Sequence, residues 1–428
     1  MIRGAGLAIP ALLIAFAPVA LGAAAPGTVE VRDENGAVVG TPFTGTDAVQ
    51  DAVASVLTTR APESRPWSVV AGAGTYGDFA VKSPNLAIGP EAGAAVVISG
   101  VGVRDDTGGG CVDISRGAVS VTGFTCTAPS RTGVNVALRT SEGGVSLASL
   151  TIERPGVDGI SVTGGKGLSI TSPVITSPVR DGIRLTMLAS RQPVTLTGGS
   201  VTGAGRDGLR LADDVRALTA SGVTITGAKG YGIASNDAGN SDVSFTGMTV
   251  TGSGKDGVLL SGGTLRATLA SSTVTGSTGA GVRLGDASGL RITDIPVDGS
   301  NADGDLIFDS DIRTGGTYEG LRAPDGTFSL GSEPNAVRIS GVSPARAAVA
   351  SGGPARYSRA GAALLVGATT RVNTRRVVLR YPGGRSVYRK SGASWTALPG
   401  SRRVRGQLQV ALGTSLLGTA STAYAPFG

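Results

Sequence analysis

Apolar and polar residues alternate through the middle of the chain in short segments that recur at a regular interval. A glycine followed by an apolar, a variable and another apolar residue marks each repeat, and consecutive markers are 23 to 26 residues apart. The marker glycines are Gly110, Gly133, Gly159, Gly182, Gly208, Gly232, Gly257, Gly281 and Gly304. A second segment, such as "VTLTGGSVTG" or "VSFTGMTVTG", lies upstream of its marker. Repeats of this length are typical of solenoids and propellers.

Each repeat contains two or three short segments rich in Val, Ile, Leu and Thr, separated by Gly, Ser and Asp. These are strand and turn signals. Helical repeats are excluded because the 3.6-residue period is absent, and propeller blades need about 40 residues or more. The pattern therefore predicts an all-β chain whose main part is a right-handed parallel β-helix. We expect about 24 residues per coil and roughly nine or more coils, stacked at about 4.8 Å.

The alternation also predicts which side chains point inward. The first and third residues after each marker glycine are almost all apolar, so they should face the core. The second residues should face outward: Asn135, Ser161, Arg184, Arg210, Ala234, Leu259 and Arg283. We expect the marker glycine itself to adopt a turn conformation that other residues avoid.

Both ends of the chain differ from this repeat. Residues 1–25 have a basic start, an apolar run and small residues for cleavage, which predicts a secretory signal peptide. The run is shorter than the roughly 20 residues of a membrane span. Residues 26–60 should contain a capping helix with Thr46 as N-cap and Leu57 on its apolar face. The β-helix should cover 61–333, a linker 334–354 and a small β-sandwich 355–428.

The positive charge of the chain is confined to its C-terminal part. Residues 341–428 carry thirteen basic and no acidic residues, whereas the preceding 340 carry 25 basic and 31 acidic residues. In an exported chain this favours acidic glycans, teichoic acids or lipid head groups as partners over nucleic acid. The candidate anion-binding residues are Arg375, Arg376, Arg402, Arg403 and Arg405. A passive, arginine-rich terminal module is the alternative.

The two cysteines, Cys111 and Cys126, both fall on inward positions of the repeat. In an oxidising compartment a disulfide between them is the default. A reduced pair of small core residues is the alternative.

The coils resemble those of the pectate-lyase-like superfamily, and Trp67 to Gly100, "WSVVAGAGTYGDFAVKSPNLAIGPEAGAAVVISG", is similar to the first coils of many members. The resemblance covers roughly residues 45 to 330 and implies the fold. It does not imply one reaction, because the superfamily includes lyases, hydrolases, epimerases, phage tailspikes and adhesins. The last part of the chain resembles β-sandwich modules of exported bacterial proteins, through Tyr388, Trp395 and the Leu398-Pro399 turn.

The chain contains no histidine. This excludes Ser-His-Asp and Cys-His catalysis and histidine zinc sites. It also removes the Gly-His-Gly of polygalacturonases and the Asp-Pro-His of alginate epimerases. Carboxylates, arginines, lysines and tyrosines remain as candidate site residues.

The first candidate cluster lies five residues after two successive marker glycines. Asp213 and Asp237 should stack about 5 Å apart in adjacent coils, with Asp214 and Asn236 beside them. Such a pair of carboxylates is suited to form half of an acid/base pair. Asp213, Asp214 and Asp237 together are alternatively the start of a Ca²⁺ site. The alternative is that Asp and Asn are simply good turn residues.

The second candidate cluster surrounds the aspartates that precede the marker glycines. Arg180, Arg206 and Lys255 come directly before these aspartates, and Tyr231 replaces one of them as a possible sugar platform. Pectate lyases are similar in combining acidic residues for Ca²⁺ with an arginine or lysine base. Repeated Asp-Gly turns are the structural alternative. The candidate catalytic residues are Asp213, Asp237, Arg184 and Arg210, and the candidate substrate-binding residues are Asp181, Asp207, Asp214, Tyr231, Asn236, Lys255 and Asp256.

Three functions fit these patterns. The first is an exported protein that binds or scaffolds on polysaccharide at the cell envelope. The second is a polysaccharide lyase or glycosidase acting on an acidic glycan, with Ca²⁺ as a possible cofactor. The third is a surface adhesin with a protein partner.

Overall fold

The computed structural model describes residues 24–59, 66–100, 110–186, 193–295 and 300–308, and beyond these only the backbone of strands between Thr317 and Tyr424. The signal peptide expected at 1–25 lies almost wholly outside the described residues. Within the described residues, no helix combines the length and apolarity that a membrane crossing requires.

The main body is a right-handed parallel β-helix built from three sheets, here called A, B and C in the order in which each coil visits them. Sheet A stacks Trp67–Ala71, Leu86–Pro90, Val119–Thr122, Ser146–Ala148, Ser169–Thr171, Val194–Thr197, Leu218–Ser221, Ser244–Thr246, Thr268–Ala270, Arg291–Thr293, Thr317–Glu319 and Val337–Val342. Sheet B stacks Gly74–Gly77, Val96–Ser99, Thr125–Thr127, Thr151–Glu153, Val174–Thr176, Ser200–Thr202, Thr224–Thr226, Thr249–Thr251 and Thr273–Thr275. Sheet C stacks Phe79–Val81, Val112–Ile114, Val134–Ala137, Ile160–Thr163, Ile183–Thr186, Leu209–Leu211, Ile233–Ser235, Val258–Leu260, Ala280–Leu284 and Gly304–Phe308.

Equivalent residues of successive coils pair in register, as in the column Ile183, Leu209 and Ile233 of sheet C. These columns are buried, and so are the matching inward columns of sheets A and B. Since a register shift of one residue would turn every apolar side chain outward, the core fixes the stacking. The predicted fold class is confirmed.

The marker glycine is required because there is no room for a side chain, and not because its backbone angle excludes other residues. At Gly208 the backbone is not left-handed, which corrects the expected turn conformation. A Cβ there would overlap the side chain of Ile225 and the carbonyl oxygen of Gly232 in the next coil. The same obstruction by an inward sheet B residue and a neighbouring glycine recurs at other markers: Gly133, Gly159, Gly182, Gly232 and Gly257.

Left-handed residues lie instead at the corners of the coil. One follows each of the last seven strands of sheet B: Ala128, Arg154, Ser177, Gly203, Gly227, Gly252 and Gly276. The chain turns sharply there toward sheet C, and glycine adopts this conformation at less cost than the other residues.

The N-terminal end of the β-helix is covered by the helix Ala48–Thr59 and by a small antiparallel unit. In that unit Thr28–Arg32 pairs with Phe43–Thr44 and Trp67–Ala71. The helix buries Ala48, Val49, Ala52, Val53 and Val56.

Two details of the cap differ from the prediction. The N-cap is Asp47, whose carbonyl accepts the N–H of Asp51, because the Thr46 carbonyl accepts the N–H of Gly77. Leu57 is 49 % exposed and lies outside the buried face.

Cys111 and Cys126 form the predicted disulfide, with their Cα atoms 5.9 Å apart. Both are buried. The bond joins the start of a sheet C strand to the inward position of the sheet B strand Thr125–Thr127.

Several short strands complete the chain. Thr264–Leu265 pairs with Ala287–Ser288 beside the coils. Val337–Val342 falls within the segment expected to be a linker; it continues sheet A and pairs antiparallel with Ala362–Gly367. The remaining strands are Phe328–Ser329, Ala347–Ala348, Arg356–Tyr357, Arg376–Tyr381, Gly384–Ser391, Ser394–Ala397, Arg405–Leu412 and Ser415–Tyr424. The β-sandwich and the domain boundaries stay predictions.

Candidate functional site

The candidate residues gather around the outward row of sheet C. This row lies between the loops that lead from sheet B to sheet C (B–C loops) and those that lead from sheet C to sheet A (C–A loops). Ala234 and Leu259, expected to be exposed on this row, are only 0 % and 7 % exposed. Arg184, Arg210 and Arg283 of the same row are half-buried. We call this row, with loops on both sides, the recessed floor.

A ladder of buried aspartates forms the B–C side of this floor. Asp158 Oδ1 accepts the N–H of Asp181 at 3.0 Å, and Asp181 Oδ1 accepts the N–H of Asp207 at 3.2 Å. Asp207 Oδ1 accepts the N–H of Tyr231 at 2.9 Å. Each carboxylate thus ties its coil to the next.

Asp181, Asp207 and Asp256, which were expected to bind substrate, are only 0 %, 3 % and 6 % exposed, and their role in binding stays a prediction. Burial raises the pKa of the Asp181 carboxyl, and the nearby charges of Asp158 and Asp207 raise it further. The N–H of Asp207 and the charge of Arg206 act in the opposite direction and do not cancel this rise.

Arg210 joins the two sides of the floor. Its Nη1 donates to Asp207 Oδ2 at 3.0 Å, and its Nη2 donates to Asp237 Oδ2 at 2.7 Å. Burial by itself lowers the pKa of Arg210, but the hydrogen bond and charge of each carboxylate outweigh it, so its pKa is raised. The guanidinium is therefore held protonated by a carboxylate of its own coil and one of the next.

Two other arginines of the row also pair with aspartates of the B–C loops. Arg184 lies 3.9 Å from Asp181 Oδ2. Arg283 donates from Nε to Asp256 Oδ2 at 2.9 Å and from Nη2 to Asp303 Oδ2 at 3.4 Å. The buried ladder and the outward arginines consequently form one network of alternating charge.

The cluster expected around Asp213 is divided among different partners. Asp237 is held by Arg210, whereas Asp214, with a left-handed backbone, pairs with Arg216 at 2.7 Å. Asp213 is exposed. Among the described residues, no three carboxylate, thiol or imidazole groups are placed to hold a metal ion. The geometry gives no support to the proposed calcium site.

Asn236 lies in the same C–A loop as Asp237, and its Oδ1 is buried without a hydrogen-bond partner among the described residues. The side chain of Asn240 holds this loop in place through hydrogen bonds, a role that the sequence analysis did not predict. Asn240 Nδ2 donates to the carbonyl oxygens of Leu211 and Asp237, each at 3.2 Å. Its Oδ1 accepts the N–H of Val215 at 2.9 Å. This side chain therefore holds the backbone of the loop that carries Asp237.

The outer edge of the B–C loops carries a row of basic side chains, here called the basic ridge. Each of six stacked loops contributes one base that is half-buried or exposed. These bases are Arg131, Arg154, Arg180, Arg206, Lys229 and Lys255. The four aspartates of the same loops are buried, at 0 to 6 % exposure. The solvent-facing charge of these loops is therefore positive throughout.

Backbone hydrogen bonds hold the loops at the spacing of the coils. The N–H of Arg206 donates to the Arg180 carbonyl at 2.9 Å, and the N–H of Lys229 donates to the Ala204 carbonyl at 2.8 Å. Arg131, Arg180, Arg206 and Lys255 thus share one column along the β-helix axis, with Val157 and Gly230 between them, whereas Arg154 and Lys229 lie at other positions of their loops. The prediction included Arg180, Arg206 and Lys255, and a search of the loops for bases outside the Asp-Gly motif would have found Arg131, Arg154 and Lys229.

Tyr231 and Lys255 lie together on this ridge. The ammonium group of Lys255 is 4.9 Å from the centre of the Tyr231 ring, within the range of a cation–π contact. Tyr231 is half-buried and replaces an aspartate of the ladder. An aromatic face and a cation are therefore presented at one point of the basic ridge.

Comparison with known proteins agrees with the fold. Residues 99–264 match the family described as "Right handed beta helix region". No curated protein matched the chain in sequence.

Three solved structures illustrate the structural similarity. The catalytic unit of a thermostable α-1,3-glucanase from Streptomyces thermodiastaticus is 15 % identical over 72 % of this chain and 62 % of its own, with a TM-score of 0.47. The Dettilon tailspike protein is 14 % identical over 86 % of this chain and 78 % of its own, with a TM-score of 0.40. The A-module of a mannuronan C-5 epimerase from Azotobacter vinelandii is 14 % identical over 72 % and 92 %, with a TM-score of 0.35. We infer no activity from these similarities.

Proposed function

We propose that the protein is an exported β-helix that binds acidic polysaccharide at the cell envelope. The observation that carries the proposal is the basic ridge, whose six bases repeat with the coils while the aspartates beneath them are buried. A linear polyanion laid along the axis would meet one cation on each of six successive coils.

The contacts of the ridge support this function. Within the described residues, Arg131, Arg154, Arg180 and Lys229 form no ion pair, and Arg206 approaches Asp181 only at 3.9 Å. Their charges are therefore available to a ligand. The Tyr231 ring beside Lys255 adds a surface on which a sugar ring can stack.

The lyase alternative has less support. A lyase needs a base that loses its proton, and the two carboxylates bonded to Arg210 raise its pKa further above neutrality. Asp237 is occupied by the same guanidinium. We therefore favour binding over catalysis, and no observation favours the adhesin alternative.

The test is affinity electrophoresis of the purified protein in gels containing polygalacturonate, alginate or neutral dextran. We expect retardation by the two polyuronates but not by dextran, and weaker retardation as salt rises, because exposed charges are screened within about 8 Å at physiological ionic strength. The variant Arg206→Glu should reduce the retardation.

Arg216→Glu is the matched control. Arg216 is exposed to a similar degree as Arg206, with side-chain values of 47 % and 44 %, but lies on a C–A loop. Equal loss in both variants would mean that net charge alone drives the binding. Release of unsaturated sugars from the polyuronates would instead establish the lyase.

A further inference from the structure

The outward face of sheet B is almost entirely threonine. Seven consecutive strands, from Thr125–Thr127 to Thr273–Thr275, each present their first and third residues outward, and eleven of these fourteen residues are threonine. The exceptions are Glu153, Val174 and Ser200. We call these fourteen residues the threonine face.

Strand propensity does not account for this composition. Threonine is favoured on any exposed strand, so the other sheets should show it equally. The second positions of the sheet C strands have none, although Thr163 and Thr186 follow at outward fourth positions. The corresponding fourteen positions of sheet A have seven threonines and five serines. Threonine is therefore most frequent on sheet B.

The face is regular because the parallel strands stack in register. Thr224, Thr249 and Thr273 form part of one rank, and Thr226, Thr251 and Thr275 form part of the other. Neighbours within a rank are about 4.8 Å apart, the ranks are about 7 Å apart, and seven strands extend over about 29 Å.

The face is also rigid. The residues between the two ranks point into the core, and each is at most 3 % exposed: Cys126, Ile152, Ile175, Val201, Ile225, Val250 and Val274. β-Branched side chains have restricted χ1 angles. The hydroxyl and methyl groups of the two ranks are consequently held on a fixed lattice.

The face is complementary to a neutral ligand. Thirteen of its fourteen residues carry no charge, in contrast to the basic ridge on the next loops. Within the described part of the chain, no hydroxyl of the face makes a hydrogen bond to protein. Small residues, such as Gly227 and Gly252, follow six of the seven strands, and Arg154 of the basic ridge follows the seventh.

Two kinds of ligand fit this chemistry poorly. A polyanion would find no charge partner on this face. A neutral glycan would find no aromatic side chain among its fourteen residues on which sugar rings stack. A rigid two-dimensional array of hydroxyls, each able to donate and accept, matches a ligand that is itself periodic and made of donors and acceptors. The methyl groups between them order the adjacent water.

We propose that the threonine face binds ice. The hydroxyls of the two ranks occupy water positions at the crystal surface, and the methyl groups hold an ordered water layer between them. This activity is independent of the polysaccharide function, since it uses a different face of the coil.

The test is partition of the fluorescently labelled full chain into a slowly growing ice hemisphere, with labelled albumin as reference. We expect severalfold enrichment of the protein in ice over albumin. The variant Thr224→Tyr, which interrupts one rank, should fall to the albumin level, and Thr249→Val, which keeps the shape but removes a hydroxyl, should fall partway.

Thr219→Tyr is the matched control, because Thr219 faces outward from sheet A in the same coil as Thr224. It should keep wild-type enrichment, and circular dichroism melts should show that all variants are folded. Exclusion of the wild type from ice, or equal loss in Thr219→Tyr, would overturn the proposal. If the excluded wild type bound insoluble cellulose or dimerised through Thr224, the face would serve that ligand instead of ice.

Discussion

Arg210 lies three residues after Asp207 and donates a 3.0 Å hydrogen bond to its buried carboxylate. The same guanidinium reaches the next coil through Asp237, so a single side chain connects two coils and both walls of the recessed floor. Its role is primarily to neutralise the aspartate ladder.

Arg210→Ala should therefore destabilise the fold by about 3 kcal/mol, because it leaves the nearly buried Asp207 carboxylate without its cation. Urea denaturation followed by circular dichroism measures the change. Arg216→Ala is the control: its pair with Asp214 is exposed and should contribute at most about 1 kcal/mol. Equal effects would show that the Arg210 network is no stronger than a surface pair.

Replacing Cys111 and Cys126 by alanine should lower the free energy of unfolding by roughly 3 kcal/mol, the chain-entropy estimate for a loop of this size. Thermal melts of the wild type with and without reductant should reproduce the difference. Two free thiols in the denatured, unreduced protein would contradict the disulfide.

Gly208→Ala should destabilise the β-helix far more than Gly227→Ala. The first inserts a Cβ against Ile225 and a backbone carbonyl, and overpacking of this kind costs about 1 to 3 kcal/mol or more. In Gly227→Ala the new Cβ has no other atom within 4 Å. The only cost is that of an alanine in the left-handed conformation, about 1 kcal/mol. Chemical denaturation of both variants provides the comparison, and a reversed order would contradict the close-approach explanation.

Asp181 should make stability depend on pH in the direction opposite to that of a salt-bridged carboxylate. Its pKa in the folded state is raised above the ordinary value of 3.8, so the folded protein binds the proton more tightly than the unfolded chain. Stability should fall as pH rises from the unfolded to the folded pKa.

Asp181→Asn keeps an acceptor for the N–H of Asp207 but does not titrate. It should remove this part of the pH dependence and be at least as stable as wild type at neutral pH. Melting temperatures of both proteins across the acidic range test this, and a variant that loses stability specifically as pH rises to neutrality would refute it.

The C-terminal bases give a prediction that the structure does not test, since it describes none of their side chains. Replacing Arg375, Arg376, Arg402, Arg403 and Arg405 by glutamine in the full chain should reduce sedimentation with anionic cell-wall material at low salt. Unchanged sedimentation, or wild-type binding that survives molar salt, would exclude electrostatic attachment by this region.

The fold was predictable from the sequence because every coil repeats the same spatial requirement. The marker glycine and the apolar residues after it, such as Leu209 and Leu211, recur at each turn and are buried as expected. The helix start was displaced by one residue because a tertiary contact, from Gly77 to Thr46, competes for the capping position.

The site was less predictable because register does not determine where a side chain points. The N–H of Asp214 donates to the Ala238 carbonyl, so the two C–A loops stack as expected. Their carboxylates nevertheless have different partners. Asp214, whose backbone is left-handed, pairs with Arg216, whereas Asp237 pairs with Arg210. The partners of a charged side chain depend on distant arginines that spacing alone does not reveal.

The in-register stacking of the coils has a consequence for how such a gene can change. Each coil offers the next the same hydrogen-bonding edge and the same glycine gap, so a whole coil can be duplicated or deleted without altering the joints on either side. Removal of one complete marker-to-marker segment shortens the rod by one strand spacing, whereas removal of half a segment exposes its core. Length is thus a heritable variable of this architecture, adjustable in whole coils.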